Sequence, residues 1–219
     1  DSKKGCVSME QISKVITVEE HFMSEKVNGE YQKLLEKKNL TLAQKAKANF
    51  IQQFVAKGEI TEVGEKRLEF METHGIDCQI LSYGNNSPSY LDPKQAVVLC
   101  QMANEELAGY CKQYPGNFYG FAVLPVGDTG AALTELERAV KTLGLKGIIF
   151  NGAYQESYFD EDRFFPIFEM AQELKVPVML HPGEVPTEVA KTYYQGSWPV
   201  AVANVFAGHG IGWHYDAWV

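Results

Sequence analysis

Five short apolar runs, separated by segments of helix-forming residues, constrain the fold of this 219-residue chain more than any other feature. The runs begin near positions 15, 78, 118, 146 and 176, so the last two intervals are 28 and 30 residues long. That length fits a strand followed by a helix and a return to the next parallel strand. Apolar strands that alternate with helices predict a parallel sheet covered by helices. Because no glycine-rich phosphate loop follows the first run, a (β/α) barrel is favoured over a dinucleotide-binding sheet.

The sequence predicts the bounds of most elements. Strands are expected at 15–22, 78–82, 118–126, 146–150 and 176–180. Helices are expected over 63–74, 93–114, 129–143 and within 160–174, two of them ended by Gly75 and Gly144. A helical insertion at about 23–61 carries a predicted helix over 42–56. Residues 1–14 are interpreted as an N-terminal extension of non-native or upstream origin, with Met9 as a candidate start, and residues 15–219 as the domain.

The first strand ends in the sequence Glu19-Glu20-His21. Side chains alternate along a strand, so Glu19 and His21 should project to one face and Glu20 to the other. A carboxylate oxygen beside an imidazole nitrogen forms half of a metal site. When these two residues are considered alone, an ion pair or a surface cluster is the favoured explanation.

Polar residues also follow the ends of other predicted strands, among them Ser82, Asn151 and His181. In a barrel the carboxyl ends of all strands meet at one mouth, where the chemistry of such folds takes place. His181 lies 160 residues after His21 and begins the sequence His-Pro-Gly at the end of the fifth strand. The joint pattern therefore favours a metal centre over a surface cluster.

Composition narrows the range of partners. The net charge of −8 argues against general affinity for nucleic acid or for anionic membranes. No apolar run approaches the roughly 18 residues of a membrane span, and the first residues lack the apolar core of a signal peptide. The four cysteines form no C-x-x-C pair, so a reducing cytoplasm is the expected location. We interpret Cys78, Cys100 and Cys111 as small buried hydrophobes, not as nucleophiles.

Four segments carry a resemblance to a known family, over residues 15–217: VEEHF, GIIFNGAY, YFDEDRFFPIFEMAQELKVPVMLHPGE and GIGWHYDA. They resemble the amidohydrolase-related family, and within it the decarboxylases typified by γ-resorcylate and 2,3-dihydroxybenzoate decarboxylase. Aminocarboxymuconate-semialdehyde decarboxylase looks like a more distant cousin. The resemblance implies a distorted TIM barrel with one divalent metal ion, zinc or manganese, held by Glu19, His21 and His181. Glu19 stands where other amidohydrolases have the first histidine of an H-x-H pair.

Two elements of the family pattern are absent from the sequence. One is the strand-six segment L-G-H-x-G-E, and the other is the strand-eight aspartate that would act as general acid. His209 and His214 do not replace them, because GWHYDA resembles the segment that precedes strand six. Of the expected catalytic residues, only His181 is therefore present. We expect a C-terminally truncated α/β barrel with about five of its eight strands.

The resemblance implies a decarboxylase that acts on a small aromatic hydroxy acid or a muconate-type acid. Phe22, Asn151 and Tyr154 are candidates for lining the substrate pocket, and packing within the barrel is the alternative role for each. A metal-dependent amidohydrolase or lactonase is the second interpretation. The third is an inactive fragment that associates with itself, because a half-open sheet exposes an edge and an apolar interior. We also expect the chain to form a homo-oligomer.

Overall fold

A five-stranded parallel sheet forms the centre of the molecule. The computed structural model describes residues 14–36, 60–84 and 87–181, with single residues at 58, 188 and 192. The strands are β1 (Ile16–Phe22), β2 (Cys78–Tyr83), β3 (Phe118–Ala122), β4 (Gly147–Asn151) and β5 (Val178–His181). They lie in the order β1-β2-β3-β4-β5, and each neighbouring pair is parallel. The predicted half barrel is confirmed.

Helices lie between the strands, four of them at the positions that the sequence predicts. They are α1 (Glu25–Glu36), α2 (Glu65–Thr73), α3 (Pro93–Gln113), α4 (Thr129–Lys141) and α5 (Phe165–Leu174). Gly75 and Gly144 follow α2 and α4 with φ of +67° and +78°, a conformation in which glycine ends helices without strain. Asp128 caps α4 through a hydrogen bond from the Ala131 amide, at 3.0 Å. Within the described part of the chain, no helix combines the length and apolar character that crossing a bilayer requires.

The helix predicted over 42–56 lies outside the described residues. Two features of the described residues differ from the prediction. Helix α1, at the start of the same insertion, was not predicted. Strand β3 ends at Ala122 instead of 126. The cause is Asn104 on α3, whose side chain accepts from the Val123 amide and donates to the Val123 carbonyl, both at 2.9 Å. A side chain thus replaces the neighbouring strand at this position.

The same asparagine belongs to a buried polar network between α3 and α4. Asn104 also donates to Glu135 at 2.7 Å, and Arg138 donates to both oxygens of that carboxylate at 2.8 Å. Glu135 is only 2% exposed, and a buried carboxylate needs such partners to offset its lost hydration. The network fixes the two helices against the carboxyl end of β3.

The centre of the sheet and its β1 edge differ in how well they are covered. Leu81, Leu107 and Leu136 are fully buried, and they belong to one continuous core. Ile16 and Val18 of β1, at one edge of the described sheet, are 50% and 52% exposed. Apolar side chains at this edge are thus accessible to solvent.

We expect the described cysteines to be poorly reactive towards alkylating agents. Cys78 and Cys100 are buried, and burial raises the pKa of both thiols. Burial also raises the pKa of Cys111 to about 11. Because the thiolate is the nucleophile, iodoacetamide at pH 8 should modify Cys111 about 100-fold more slowly than free cysteine, whose pKa is about 8.5.

The alkylation test is best performed in a Cys6→Ser background, because Cys6 lies outside the described residues. Mass spectrometry after timed quenching gives the rate for each thiol. The Cys111 rate should rise about tenfold per pH unit up to its raised pKa. Rapid modification at pH 8 would show that the thiol is not held in the buried environment described above.

Candidate metal centre

Three potential ligands from the two outer strands of the sheet converge at one point. His21 and His181 approach with their Nε2 atoms 3.1 Å apart, and Glu19 Oε1 lies 3.4 Å from His181 Nε2. The ligand atoms of all three residues lie within 4.8 Å of one another. The structure therefore brings together the residues that the sequence analysis proposed as metal ligands, although they are separated by up to 162 positions in sequence.

The register of the sheet explains this convergence. His21 lies opposite Ser82 on β2, and His181 lies opposite Asn151 on β4, so each histidine is level with the end of its neighbouring strand. Strand β1 also contains a bulge, since Thr17 pairs with Gln79 but Glu20 pairs with Leu81. Two residues of β1 thus face one residue of β2, which bends the strand as bulges do beside functional sites.

The hydrogen bonds around His21 favour one tautomer of its ring. Ser82 Oγ lies 3.0 Å from His21 Nδ1 and 3.5 Å from the Glu20 carbonyl oxygen. We assign the proton of the neutral ring to Nδ1, since the Ser82 oxygen can then accept from Nδ1 while its hydroxyl donates to the Glu20 carbonyl. This assignment leaves the lone pair on Nε2, the atom that faces His181. A metal-bound histidine is held in the same way in known sites.

The donor set suits a divalent metal ion. Ligands placed tetrahedrally at the bond lengths of zinc, about 2.0–2.1 Å, lie about 3.3 Å from one another. The two separations that involve His181, 3.1 Å and 3.4 Å, bracket that value, and the ligand atoms of Glu19 and His21 lie within 4.8 Å of each other. His181 is 3% exposed, whereas the Glu19 side chain is 45% exposed, so the site is open on the carboxylate side. Two imidazoles and one carboxylate suit zinc and manganese alike.

The three residues proposed to line the pocket have different environments. Asn151 is half-buried and lies beside His181 at the strand ends. Tyr154 is 2% exposed, its ring stacks on Tyr90 at 6.2 Å, and its hydroxyl accepts from Gln155 at 3.1 Å. Tyr154 is therefore packed in the hydrophobic core.

Phe22 lies on the opposite side of β1 from the potential ligands. It is 1% exposed, and its ring packs edge-on against Tyr83 and Tyr110 at centroid distances of 5.3 Å and 6.3 Å. This is a position in the core beneath α3, so the structure does not bring Phe22 to the site. Strict alternation along β1 already places Phe22 on the face opposite His21, and that signal was present in the sequence.

Sequence reasoning did not find two residues that hold the site in place. The Tyr90 hydroxyl forms two hydrogen bonds with the backbone of Asn151. It donates to the Asn151 carbonyl and accepts from the Asn151 amide at 2.9 Å. Arg67 on α2 donates to the His21 carbonyl at 3.0 Å. Neither residue has a local sequence signal, because each acts on backbone atoms of a distant strand.

The fold and the site together define a (β/α) barrel protein with a candidate mononuclear metal centre at the strand ends. The amidohydrolase family model matches residues 54–215, which is most of the chain. This chain therefore belongs to the amidohydrolase family, as the resemblance in sequence predicted.

Proteins similar to this chain in sequence include decarboxylases. γ-Resorcylate decarboxylase of Rhizobium radiobacter is 33% identical over 157 residues, which cover 68% of this chain and 47% of that protein. A 2-amino-3-carboxymuconate-6-semialdehyde decarboxylase of Dictyostelium discoideum is 29% identical over 137 residues, covering 62% and 38%. The predicted likeness to both groups is confirmed. The chain spans about half the length of the γ-resorcylate decarboxylase it matches.

The fold also matches solved structures. The 5-carboxyvanillate decarboxylase of Novosphingobium aromaticivorans, solved with manganese and 4-hydroxy-3-methoxy-5-nitrobenzoic acid, superposes with a TM-score of 0.73 at 27% identity. The match covers 84% of this chain and 55% of that one. The half barrel described here thus corresponds to a little over half of such a protein.

Proposed function

We propose that the protein is a metal-dependent carboxy-lyase that removes CO₂ from a small aromatic hydroxy acid, with muconate-type acids as the related substrate class. The convergence of Glu19, His21 and His181 at the strand ends is the observation that carries the proposal. The relatives support the reaction type, because they are named for decarboxylation, and a structural neighbour was solved in complex with manganese and an aromatic acid.

One divalent ion, zinc or manganese, is proposed to bind to Glu19, His21 and His181. When bound, it would supply chelation of substrate oxygens and stabilisation of the negative charge that develops as CO₂ leaves. The manganese in the neighbouring structure supports a divalent ion at this position and leaves both metals as candidates.

The residues of this chain would hold and orient the reactants. His181 is buried, so its ring has little freedom, while Glu19 faces the open side by which a substrate enters. Asn151 lies next to His181 and offers a side-chain amide to a substrate carboxylate or hydroxyl. In the reaction the bond between the ring carbon and the carboxylate breaks, and a proton takes the place of CO₂. The family resemblance implies an aspartate on strand eight as the donor of that proton. This sequence does not contain that segment.

A metal-dependent hydrolase is the alternative, since the same three ligands suit the activation of water for attack on an amide or lactone. The two reactions release different products. Decarboxylation yields CO₂ and consumes a proton, whereas hydrolysis of a lactone yields a carboxylic acid and lowers the pH.

We expect the manganese- or zinc-loaded protein to release CO₂ from at least one member of a panel of hydroxybenzoates and aminomuconate-type acids. Release is measured with a coupled carboxylase assay or by mass spectrometry of labelled CO₂, and the same panel is repeated after dialysis against EDTA. Metal-dependent cleavage of lactones or amides, with every acid of the panel left intact, would replace the decarboxylase proposal with the hydrolase.

We also propose that the protein forms homo-oligomers in a cytoplasmic setting. The exposure of Ile16 and Val18 at the β1 edge of the sheet supports association, because burying apolar area contributes about 25 cal/mol per Å². Sedimentation velocity across a concentration series measures the mass. A monomer at all concentrations, fully active with one bound metal ion, contradicts both the oligomer and the inactive-fragment alternative.

A further inference from the structure

A half-buried arginine, Arg67, links the first turn of α2 to the end of β1. The Arg67 side chain donates three hydrogen bonds: to the Glu62 carbonyl at 3.2 Å, to Gln79 Oε1 at 3.5 Å and to the His21 carbonyl at 3.0 Å. Its partners thus lie on the segment before α2, on β2 and on β1. The Glu62 side chain accepts from the Arg67 amide at 3.2 Å, which also anchors the start of this helix.

The His21 carbonyl points away from β2, so it lies outside the hydrogen-bond ladder that joins β1 to β2. The next carbonyl, that of Phe22, accepts from the Gly84 amide at 2.9 Å and therefore points towards β2. Successive carbonyls of an extended strand point in opposite directions, so the carbonyl of His21 points away from β2. The guanidinium of Arg67 binds the backbone of His21 from the side opposite to that ladder.

The backbone of this strand end is thus held from two sides. The Glu20 carbonyl accepts from Ser82, the same hydroxyl that fixes the His21 ring, and the His21 carbonyl accepts from Arg67. Removing one of these contacts allows the peptide to rotate. Because the imidazole is attached to that peptide, rotation moves Nε2 relative to Glu19 and His181.

The charge of Arg67 is retained in this environment. Burial lowers the pKa of its guanidinium, and the nearby carboxylates of Glu20 and Glu62 oppose that effect. Arginine stays protonated in proteins, and its planar fork reaches several acceptors at once, which the single ammonium of lysine does not. Glu20, which lies on the face of β1 opposite to the ligands, therefore compensates the charge of Arg67.

We propose that Arg67 is a positioning residue for the metal centre, which sets the location of the His21 ring through the backbone carbonyl of that residue. The inference rests on the proposed metal centre. It assigns a role to a residue that does not itself reach the metal, and it predicts that metal affinity depends on a contact made on the helix side of the sheet.

The test compares wild type with Arg67→Ala and Arg67→Lys by titration with Mn²⁺, following free Mn²⁺ by electron paramagnetic resonance. Loss of a contact that orients a ligand typically weakens metal binding about 10–100-fold, and we expect a loss in that range for R67A and a smaller one for R67K. Arg138→Ala is the matched control, because Arg138 is also a half-buried arginine that donates several hydrogen bonds but lies between α3 and α4. It should lower the melting temperature and leave the Mn²⁺ affinity within about twofold of wild type.

Hydrogen exchange at the Gly84 amide, measured without metal, gives a second readout. Faster exchange in R67A or R67K together with weaker Mn²⁺ binding supports the inference. A folded R67A or R67K variant that binds Mn²⁺ with wild-type affinity overturns the inference. If R67A does not fold, the Mn²⁺ affinity of R67K is the result that tests it. If wild type binds no Mn²⁺ or Zn²⁺, the proposed metal centre itself fails, and with it the positioning role. The proposed function fails separately if all variants bind metal as expected but wild type leaves every acid of the panel intact.

Discussion

Replacing His181 with alanine should abolish metal binding and CO₂ release together. The side chain is 3% exposed and is the only one of the three proposed ligands that comes from the far edge of the described sheet. Without it, two neighbouring residues of β1 would have to hold the ion alone, and structural and catalytic zinc sites use at least three protein ligands. We expect metal content below one tenth of wild type and turnover reduced by at least about 10³-fold.

His74→Ala is the matched control for this variant. His74 lies at the exposed end of α2 and stacks on Phe70 at 4.1 Å, away from the proposed ligands. This variant should keep its metal and its turnover. Metal content is measured by plasma emission spectrometry after gel filtration. An H181A protein that retains stoichiometric metal would show that His181 is not a ligand.

Replacing Gly147 with alanine should be the most destabilising single methyl addition in the sheet. A Cβ at this position would lie 2.6 Å from Phe121 Cε1 and 2.8 Å from the Pro177 carbonyl oxygen. That oxygen accepts from the Ile148 amide at 3.1 Å, so it cannot withdraw without weakening the pairing of β4 with β5. Overpacking of this kind costs about 1–3 kcal/mol, and each kcal/mol lowers the melting temperature by about 2–4 °C in a protein of this size.

Replacing Gly109 with alanine should have the opposite effect and stabilise the protein slightly. Gly109 lies in α3, and a Cβ added there has no atom within 4 Å. Alanine favours a helix over glycine by up to about 1 kcal/mol, so this variant should unfold at a slightly higher temperature than wild type. Urea unfolding followed by circular dichroism measures both free energies. Equal effects of the two substitutions would show that the close approach at Gly147 is absent in solution.

The strand ends were predictable from the sequence, because the apolar runs stop where polar residues begin. Asn151 and His181 lie level with each other at the ends of β4 and β5, as that pattern implies. The length of β3 was not predictable. Residues after Ala122 remain apolar, but the distant Asn104 binds the backbone of Val123 and ends the pairing. Apolar character alone does not distinguish a paired strand from a backbone held by a side chain.

The potential ligands were predictable for a similar reason, since Glu19 and His21 share one face of a strand. Their supports were not. Arg67 resembles any charged residue of an amphipathic helix, and only its contact with the His21 carbonyl distinguishes it. The role of Ser82 in orienting the His21 ring depends on the register of β1 against β2, and that register contains a bulge without a sequence signature.

The bulge in β1 affects how this chain should be aligned with its relatives. Ile16 and Thr17 pair with the start of β2, and the residues from Glu20 to Phe22 pair with its end, while the two residues between them face a single partner. Loss of one of those two residues would leave both paired halves in register and convert the bulge to a regular strand. A gap is therefore structurally acceptable between Thr17 and Glu20 when this chain is aligned with its relatives.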